Sequence, residues 1–315
     1  MIRENRFDRQ KFQQLDGDRE AMQNYLRSVS LIGEDLSHLD LSGMDLSGLK
    51  MVGVTLYKTN LSRSSLESTY LSGAEITESD FSETNLKWTI LKDSFLKGVN
   101  LYKADLTGAN LERTYLMNAK LRNAKMRKAN FKDADLRYAD LAGADISGTI
   151  FINANMYGAN LSGSNLSEAN FKFANLTKAY LENSDITGTV LHMTILRNAD
   201  FSGAKGFLCA STYLNEHFEK TDQGYIVYKT FGGFSDMPEN WNIEPGAIIE
   251  EAVNPDRTAK TGCGISVCTY DRVNQFPDGN VYKLLIRWEW LADVVVPFNA
   301  RGKIRCGKAE IIGPA

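Results

Sequence analysis

Cys209, His217, Cys263, Cys268 and Cys306 carry the donor atoms of a metal site, four thiols and an imidazole, and zinc is the ion that takes such a set. Their spacing points away from it. No C-x-x-C pair occurs, and the four residues between Cys263 and Cys268 are an interval atypical of zinc ligands. A thiol nucleophile needs a neighbouring base, yet of the histidines, His38, His192 and His217, only His217 lies near a cysteine in sequence. Buried, inert thiols are therefore expected, with no metal and no cofactor. A second group, Glu250, Glu251, Arg257, Arg287 and Glu289, offers carboxylates beside guanidinium groups. In a cleft with Cys263 it would suit a nucleotide or a sugar, whereas ion pairs on alternating strands account for the same residues more simply. No P-loop, dinucleotide-binding glycine pattern, H-E-x-x-H or G-x-S-x-G is present, so no catalytic residue is assigned and the expectation is a protein that is not an enzyme.

The elements that hold these residues follow from composition and period. The 315 residues suggest roughly two domains, and 43% apolar with 24% charged residues is an ordinary globular balance that excludes disorder and collagen. Lys+Arg number 36 against 39 Asp+Glu, so a strongly charged binder is excluded too. The first thirty residues are too charged for a secretory signal and no 18-residue apolar run occurs. A cytoplasmic protein with no membrane contact is expected, and four cysteines in no dense framework fit a reducing compartment.

From Leu31 to Phe201 every fifth residue is Leu, Ile, Met or Phe, 35 consecutive positions without a slip. A helix would smear this period around its circumference and a strand would send alternate members to opposite faces. Only a chain that turns a corner every five residues keeps all of them inside. From Thr59 to Ala204 the residue two before each centre is Ala, Ser or Thr, with Val99 the exception, a second inward row of small residues. The residue one before the centre is often Asp or Asn, as at Asp105, Asn110, Asp135, Asp140 and Asn160, side chains that satisfy backbone groups at turns.

Stretches such as Ala104-Asp105-Leu106-Thr107-Gly108 and Ala159-Asn160-Leu161-Ser162-Gly163 match the pattern A-(D/N)-L-x-x, and the segment resembles the pentapeptide-repeat family. That resemblance implies an all-β fold, a right-handed quadrilateral β-helix with four pentapeptides to a square coil of twenty residues. Nearly nine coils at ~4.8 Å each give a rod about 40 Å long. Phe131, Phe151 and Phe171 differ by 20 and are expected to stack on one inner face, with Phe81 and Phe201 on the opposite one.

Function would then sit on the outward positions. In the twenty-residue register Tyr70, Ile90, Ile150 and Val190 coincide, Ile152 lies two further on, Phe173 and Met193 next, then Phe95, Tyr115 and Ile195. These predict an apolar stripe down one side, a contact surface for the rest of the chain, a second copy or a foreign protein. Some family members inhibit type II topoisomerases through an acidic rod that imitates DNA; here Leu31 to Gly206 carries 20 acidic and 19 basic residues, so DNA mimicry stands only as an alternative. Lys120, Arg122, Lys125, Arg127, Lys128, Lys132 and Arg137 form a basic belt, read as a solvated rim, and nucleic acid is not the expected partner.

Both ends of such a rod need covering. Residues 1–30 are expected to be a helical cap, with Asp18 starting a helix that runs from Arg19 to about Val29 and carries Met22, Tyr25, Leu26 and Val29 on one face, and a shorter turn around Phe7, Phe12 and Leu15. The repeat occupies 31–206. Residues 207–315 change character: one short helix over Ser211 to Lys220, then strand-type runs Tyr225 to Phe231, Ala247 to Val253, Gly264 to Tyr270, Val281 to Trp288, Val294 to Phe298 and Lys303 to Ile312, punctuated by turn residues such as Pro245-Gly246. Trp241-Asn242-Ile243-Glu244-Pro245-Gly246, Gly262-Cys263-Gly264-Ile265 and Trp288-Glu289-Trp290 resemble an uncharacterised domain found beside pentapeptide repeats in phage and bacterial proteins. The chain as a whole reads as a non-enzymatic protein-binding or structural scaffold, an assembly component or a binder of a host protein in a phage or bacterial setting, with a homo-oligomer among the outcomes and a small-ligand-binding or enzymatic C-terminal domain as a further alternative.

Overall fold

A period of five forces a corner in every pentapeptide, and the computed structural model shows how the backbone sustains it. The structure describes residues 6–206, 210–231, 241–251, 265–273, 279–294, 296 and 302–315. It divides into two compact units, Met1–Phe207 and Leu208–Ala315.

In the first unit each coil pairs in parallel with the coil twenty residues on, from Asp35 with Thr55 through to Asp185 with Lys205. The centres from Leu31 to Leu196 are buried, as are the small residues two before them from Thr59 to Thr194, apart from half-buried Thr189. In the last coil Ala199, Phe201 and Ala204 are half-buried. Five N–H groups per pentapeptide have to be satisfied, and the first coil illustrates the solution. Leu36 donates to the Thr55 carbonyl at 2.8 Å, Gly33 to Val52 at 2.9 Å, and Thr55 back to Glu34 at 2.9 Å, while Glu34 closes the turn on Leu31 at 3.3 Å. The fifth N–H, on the residue after the centre, falls outside this ladder, and the side chain before the centre takes it: Ser37 N–H donates to Asp35 Oδ1 at 2.8 Å. The same bond recurs at Asp80 with Ser82 and Asn160 with Ser162, which explains why Asp and Asn crowd that position.

Buried hydroxyls in the small row are satisfied too. Thr59 Oγ1 donates to the Leu36 carbonyl at 2.9 Å and Ser94 Oγ to Leu71 at 2.7 Å, so Ser and Thr replace Ala without leaving an unpaired polar atom. The second residue after the centre takes a left-handed conformation, even where it is bulky, as at Trp88 with φ 58° and Phe173 with φ 62°. Such residues persist only where the surroundings over-determine them, and here hydrogen bonds to the next coil do so. Inside, Phe151 stacks between Phe131 at 5.2 Å and Phe171 at 4.9 Å, and Phe81 is buried on the opposite face.

The N-terminal end is closed by two helices, α1 (Arg9–Gln13) and α2 (Arg19–Ser28), capped by Asp8 and Asp18. Phe12, Met22, Tyr25 and Leu26 are buried beneath them. The first coil has no coil before it to pair with its carbonyls, and arginines stand in corner by corner. Arg9 donates to the carbonyls of Ser37 at 3.0 Å and Asp35 at 2.9 Å, Arg19 to Asp40 at 2.9 Å and to Ser42, and Arg27 to Asp45 at 2.9 Å. At the fourth corner Arg6 pairs with Ser30 through the backbone.

The second unit begins with α3 (Ala210–His217) and continues as β1 (Glu219–Lys220), β2 (Gly224–Phe231), β3 (Ile248–Glu250), β4 (Ile265–Cys268), α4 (Tyr270–Val273), β5 (Asn280–Arg287), a 3-10 helix (Trp288–Asp293), β6 (Lys303–Cys306) and β7 (Lys308–Pro314). The strands form one antiparallel sheet in the order β3-β7-β5-β2-β4-β6, with β1 on β2. Lys303 to Ile312 holds two strands rather than one run, divided at Gly307, because β6 pairs with β4 while β7 pairs with β3 and β5. One residue spans at most ~3.6 Å, and strands four places apart in a flat sheet lie roughly 19 Å apart, so this sheet must curl until the end of β6 comes back to the start of β7. The curl encloses Val227, Leu284, Ile286, Ile304, Cys306 and Ile311, with Tyr213, Leu214 and Phe218 packed against them. Three further expectations change. The run Val281 to Trp288 ends at Arg287 and a 3-10 helix follows; Tyr270 opens α4 instead of closing β4; and Val294 and Val296 are buried without being in a strand. Val253, Gly264, Val295, Phe298 and Arg301 lie outside the described residues.

Candidate interaction face

The face of the rod centred on Leu31 and every twentieth residue after it differs from the other three in what stands before its centres. Elsewhere that position is mostly Asp or Asn; on this face and at its following corner Tyr70, Ile90, Phe95, Tyr115, Ile150, Val190 and Ile195 replace them, interrupted by Asn110, Asn130 and Asn170 on the face and by Asp35, Asp135, Asn155 and Asn175 at the corner. None of the seven apolar and aromatic side chains offers an acceptor to the N–H two residues on, so each gives up a local hydrogen bond worth about 1 kcal/mol to place an apolar group outward. Tyr115, Met193 and Ile195 are each more than half exposed, at 51%, 57% and 53%. Tyr70, Phe95, Ile150, Phe173 and Val190 are exposed as well, while Ile90 and Ile152 are half-buried. Phe95 and Tyr115 stack at 5.1 Å with their planes 4° apart. All ten residues of the expected stripe thus share one face and its following corner.

The register brings in three residues that the sequence reading passed over. Ile32 and Val52 are exposed in the same column as Ile152, and exposed Trp88 stands at the corner beside Ile90. Trp88 covers Gly108, where an added Cβ would overlap the indole. Counting by twenty identifies Ile32 and Val52; Trp88 needs the corner geometry.

Pentapeptide repeats, matched in 8 copies, extend from residue 25 to residue 203. The chain belongs to the pentapeptide repeat family. The solved structures similar to this pentapeptide repeat chain include HetL, involved in heterocyst differentiation regulation in the cyanobacterium Nostoc sp. strain PCC 7120, at 27% identity over 60% of this chain and 98% of HetL, TM-score 0.38. They also include QnrB1, a plasmid-mediated fluoroquinolone resistance protein, at 22% identity over 54% of this chain and 90% of QnrB1, TM-score 0.36. A pentapeptide repeat protein of the Arabidopsis thaliana thylakoid lumen is 33% identical over 27% of this chain and 56% of its own length, TM-score 0.23. No curated protein matches.

On the pentapeptide repeat rod the basic belt is largely paired. Arg122 meets Asp140 at 3.4 Å, Arg127 meets Asp145 at 2.7 Å, Arg137 meets Asp135 at 2.6 Å and Lys132 meets Asp133 at 3.9 Å. Lys120, Lys125 and Lys128 complete it.

The polar group of the second unit does not converge. Glu250, on an edge strand, pairs with Lys308 at 3.0 Å, whereas Arg287 pairs with Glu310 at 2.6 Å and lies over Trp290. Glu251 donates its N–H to the Gly307 carbonyl and Glu289 sits in the first turn of the 3-10 helix. Each therefore takes a different neighbour, since β3 and β5 flank β7 from opposite sides. Arg257 and Cys263, like Cys209, lie outside the described residues. Cys268 and Cys306 are buried free thiols. Burial pushes the Cys306 thiol up to about 12, and its Sγ lies 3.6 Å from the Ile265 carbonyl. His217 stacks on Tyr213 at 4.1 Å with Nδ1 at 3.0 Å from the Tyr213 carbonyl. Among the described residues no helix is long and apolar enough to cross a membrane.

Proposed function

We propose that this chain is a non-enzymatic protein-binding scaffold whose contact surface is the apolar face of the rod. The observation that carries the reading is the exchange of Asp and Asn for Tyr70, Ile90, Phe95, Tyr115, Ile150, Val190 and Ile195 at the position that elsewhere caps the turn. A local rule given up repeatedly along one face, with no gain in core packing, marks a site selected for something other than folding. Exposed aromatic and aliphatic side chains on a rigid frame are the composition of protein contact centres.

The test restores the turn caps. A triple variant, I90N/F95N/Y115N, is expected to fold with an unchanged or higher melting temperature and to lose the protein that the wild-type chain retains from lysate. Retention of the same partner by the folded variant overturns the reading. Light scattering on both proteins separates a second copy of this chain from a foreign partner. The competing reading, a DNA-mimicking inhibitor of a type II topoisomerase, calls for an acidic rod, and the 20 acidic and 19 basic residues between Leu31 and Gly206 speak against it.

A further inference from the structure

The curled sheet of the second unit has a cavity of about 510 Å³ on its outer side, within the ~300–1,000 Å³ usual for small-molecule sites. Its floor comes from side chains abreast across three strands. Ile226 on β2 is directly opposite Leu285 on β5, and Leu285 is opposite Glu310 on β7. Ile226 and Leu285 are 4% and 5% exposed, although they belong to the row that faces away from the enclosed core. Ile312 extends the apolar floor toward solvent.

Both walls are pinned. Trp288 donates its Nε1 to the Asp222 carbonyl at 2.8 Å and its N–H to Gln223 at 3.1 Å, fixing the turn that carries Asp222. On the other side Gly246 donates to the Ile311 carbonyl at 2.7 Å and Ile311 to Ala247 at 2.8 Å. These bonds tie both walls of the open cavity to the sheet and the 3-10 helix.

Its polar group is Glu310. Arg287 places both Nε, at 2.7 Å, and a terminal nitrogen, at 2.6 Å, on the same oxygen, Oε2, and lays its guanidinium over Trp290. Among the described residues Oε1 has no hydrogen-bond partner. Asp222 adds a second carboxylate to the lining. The charged residues of the lining itself, Asp222 and Glu310, are both carboxylates, and they stand over an apolar floor while Lys220 lies further out, over the Trp288 ring.

We propose that this cavity binds an apolar small molecule carrying a primary ammonium group, with the hydrocarbon on Ile226, Leu285 and Ile312 and the ammonium on Glu310 Oε1. The full chain titrated calorimetrically with hexylamine and with hexanoate, bodies of equal length and opposite charge, tests it. Hexylamine is expected to bind at least about tenfold more tightly than hexanoate, the discrimination of a charge-assisted hydrogen bond in a partly desolvated site. E310Q frees the Arg287 guanidinium and is expected to reverse the preference, while D222N, at an exposed position, weakens hexylamine severalfold with folding untouched. Equal binding of the two probes by the wild-type chain, or binding of neither at millimolar concentration, overturns the proposal whatever the variants do.

Discussion

Asp105 accepts two hydrogen bonds from Thr107 on a single oxygen, the backbone N–H at 3.1 Å and the hydroxyl at 2.6 Å. The pair is the repeat's local rule in one contact: the carboxylate serves the N–H that the coil-to-coil ladder leaves over. Removing it strands a half-buried donor. Asp105→Ala is expected to cost about 1–2 kcal/mol and Asp105→Asn less than half of that, read as a shift in urea midpoint at constant slope. Equal losses in the two variants would show that charge rather than geometry matters at this position.

Phe151 is the middle ring of three. Phe151→Ala opens a cavity that rigid coils cannot close and is expected to cost about 3–5 kcal/mol; Phe151→Leu, which keeps most of the volume, should cost less than about 1.5 kcal/mol. Chemical denaturation of the two variants provides the comparison.

Arg19 reaches carbonyls of the first coil that no backbone donor serves. Arg19→Ala is expected to leave global stability lower by only about 1 kcal/mol, because the site is partly solvated, yet to accelerate amide exchange in residues 31–50 well above the rest of the rod. Uniform exchange along the rod would remove the arginines' role as an end cover.

Acid should loosen the first coil before the coils capped by asparagine. Asp35 and Asp45 are held below their ordinary value of 3.8 first by the Ser37 and Ser47 hydroxyls, then by the backbone N–H groups of those residues, with Arg9 and Arg27 adding to the effect. Asp40 is also lowered: burial pushes it up, and the Ser42 hydroxyl and N–H together with Arg19 outweigh that. A carboxylate with a depressed folded pKa stabilises above its unfolded value, and the contribution is lost as pH falls through the folded one. Melting temperature is therefore expected to hold from pH 7 to about 5 and to decline below about 4. Asn155, Asn160, Asn165, Asn170 and Asn175 make the same bond without a charge, so amide exchange at pH 3 should rise first in the first coil and last in those. Simultaneous opening of both regions would contradict the assignment.

The rod could be read from sequence because its period is incompatible with every other regular structure, and because a register of twenty converts residue numbers into faces. That is why the Phe131–Phe151–Phe171 stack and the positions of Tyr70 and Ile195 were accessible in advance. The arginines of the cap were not, since Arg9, Arg19 and Arg27 look like solvated charges until the helices are oriented over the first coil. In the second unit the strand starting near Tyr225 was legible from its β-branched and aromatic run, but the bend at Gly307 depends on which strands flank β6 and β7. The Glu310 cavity had no local signal at all. Its floor draws single residues from β2, β5 and β7, which lie far apart along the chain, and Glu250, which seemed to belong with Arg287, takes Lys308 instead.

The twenty-residue coil makes this molecule unusually sensitive to the arithmetic of insertion and deletion. Loss of twenty residues from the rod would shorten it by one coil and leave all four sides in line. Loss of five would preserve every buried contact type yet rotate everything downstream by a quarter turn, breaking the apolar row into two segments on adjacent sides. Changes in length are thus sorted by their remainder on division by twenty, and a surface spread over nine coils can be moved around the axis without altering a single outward side chain.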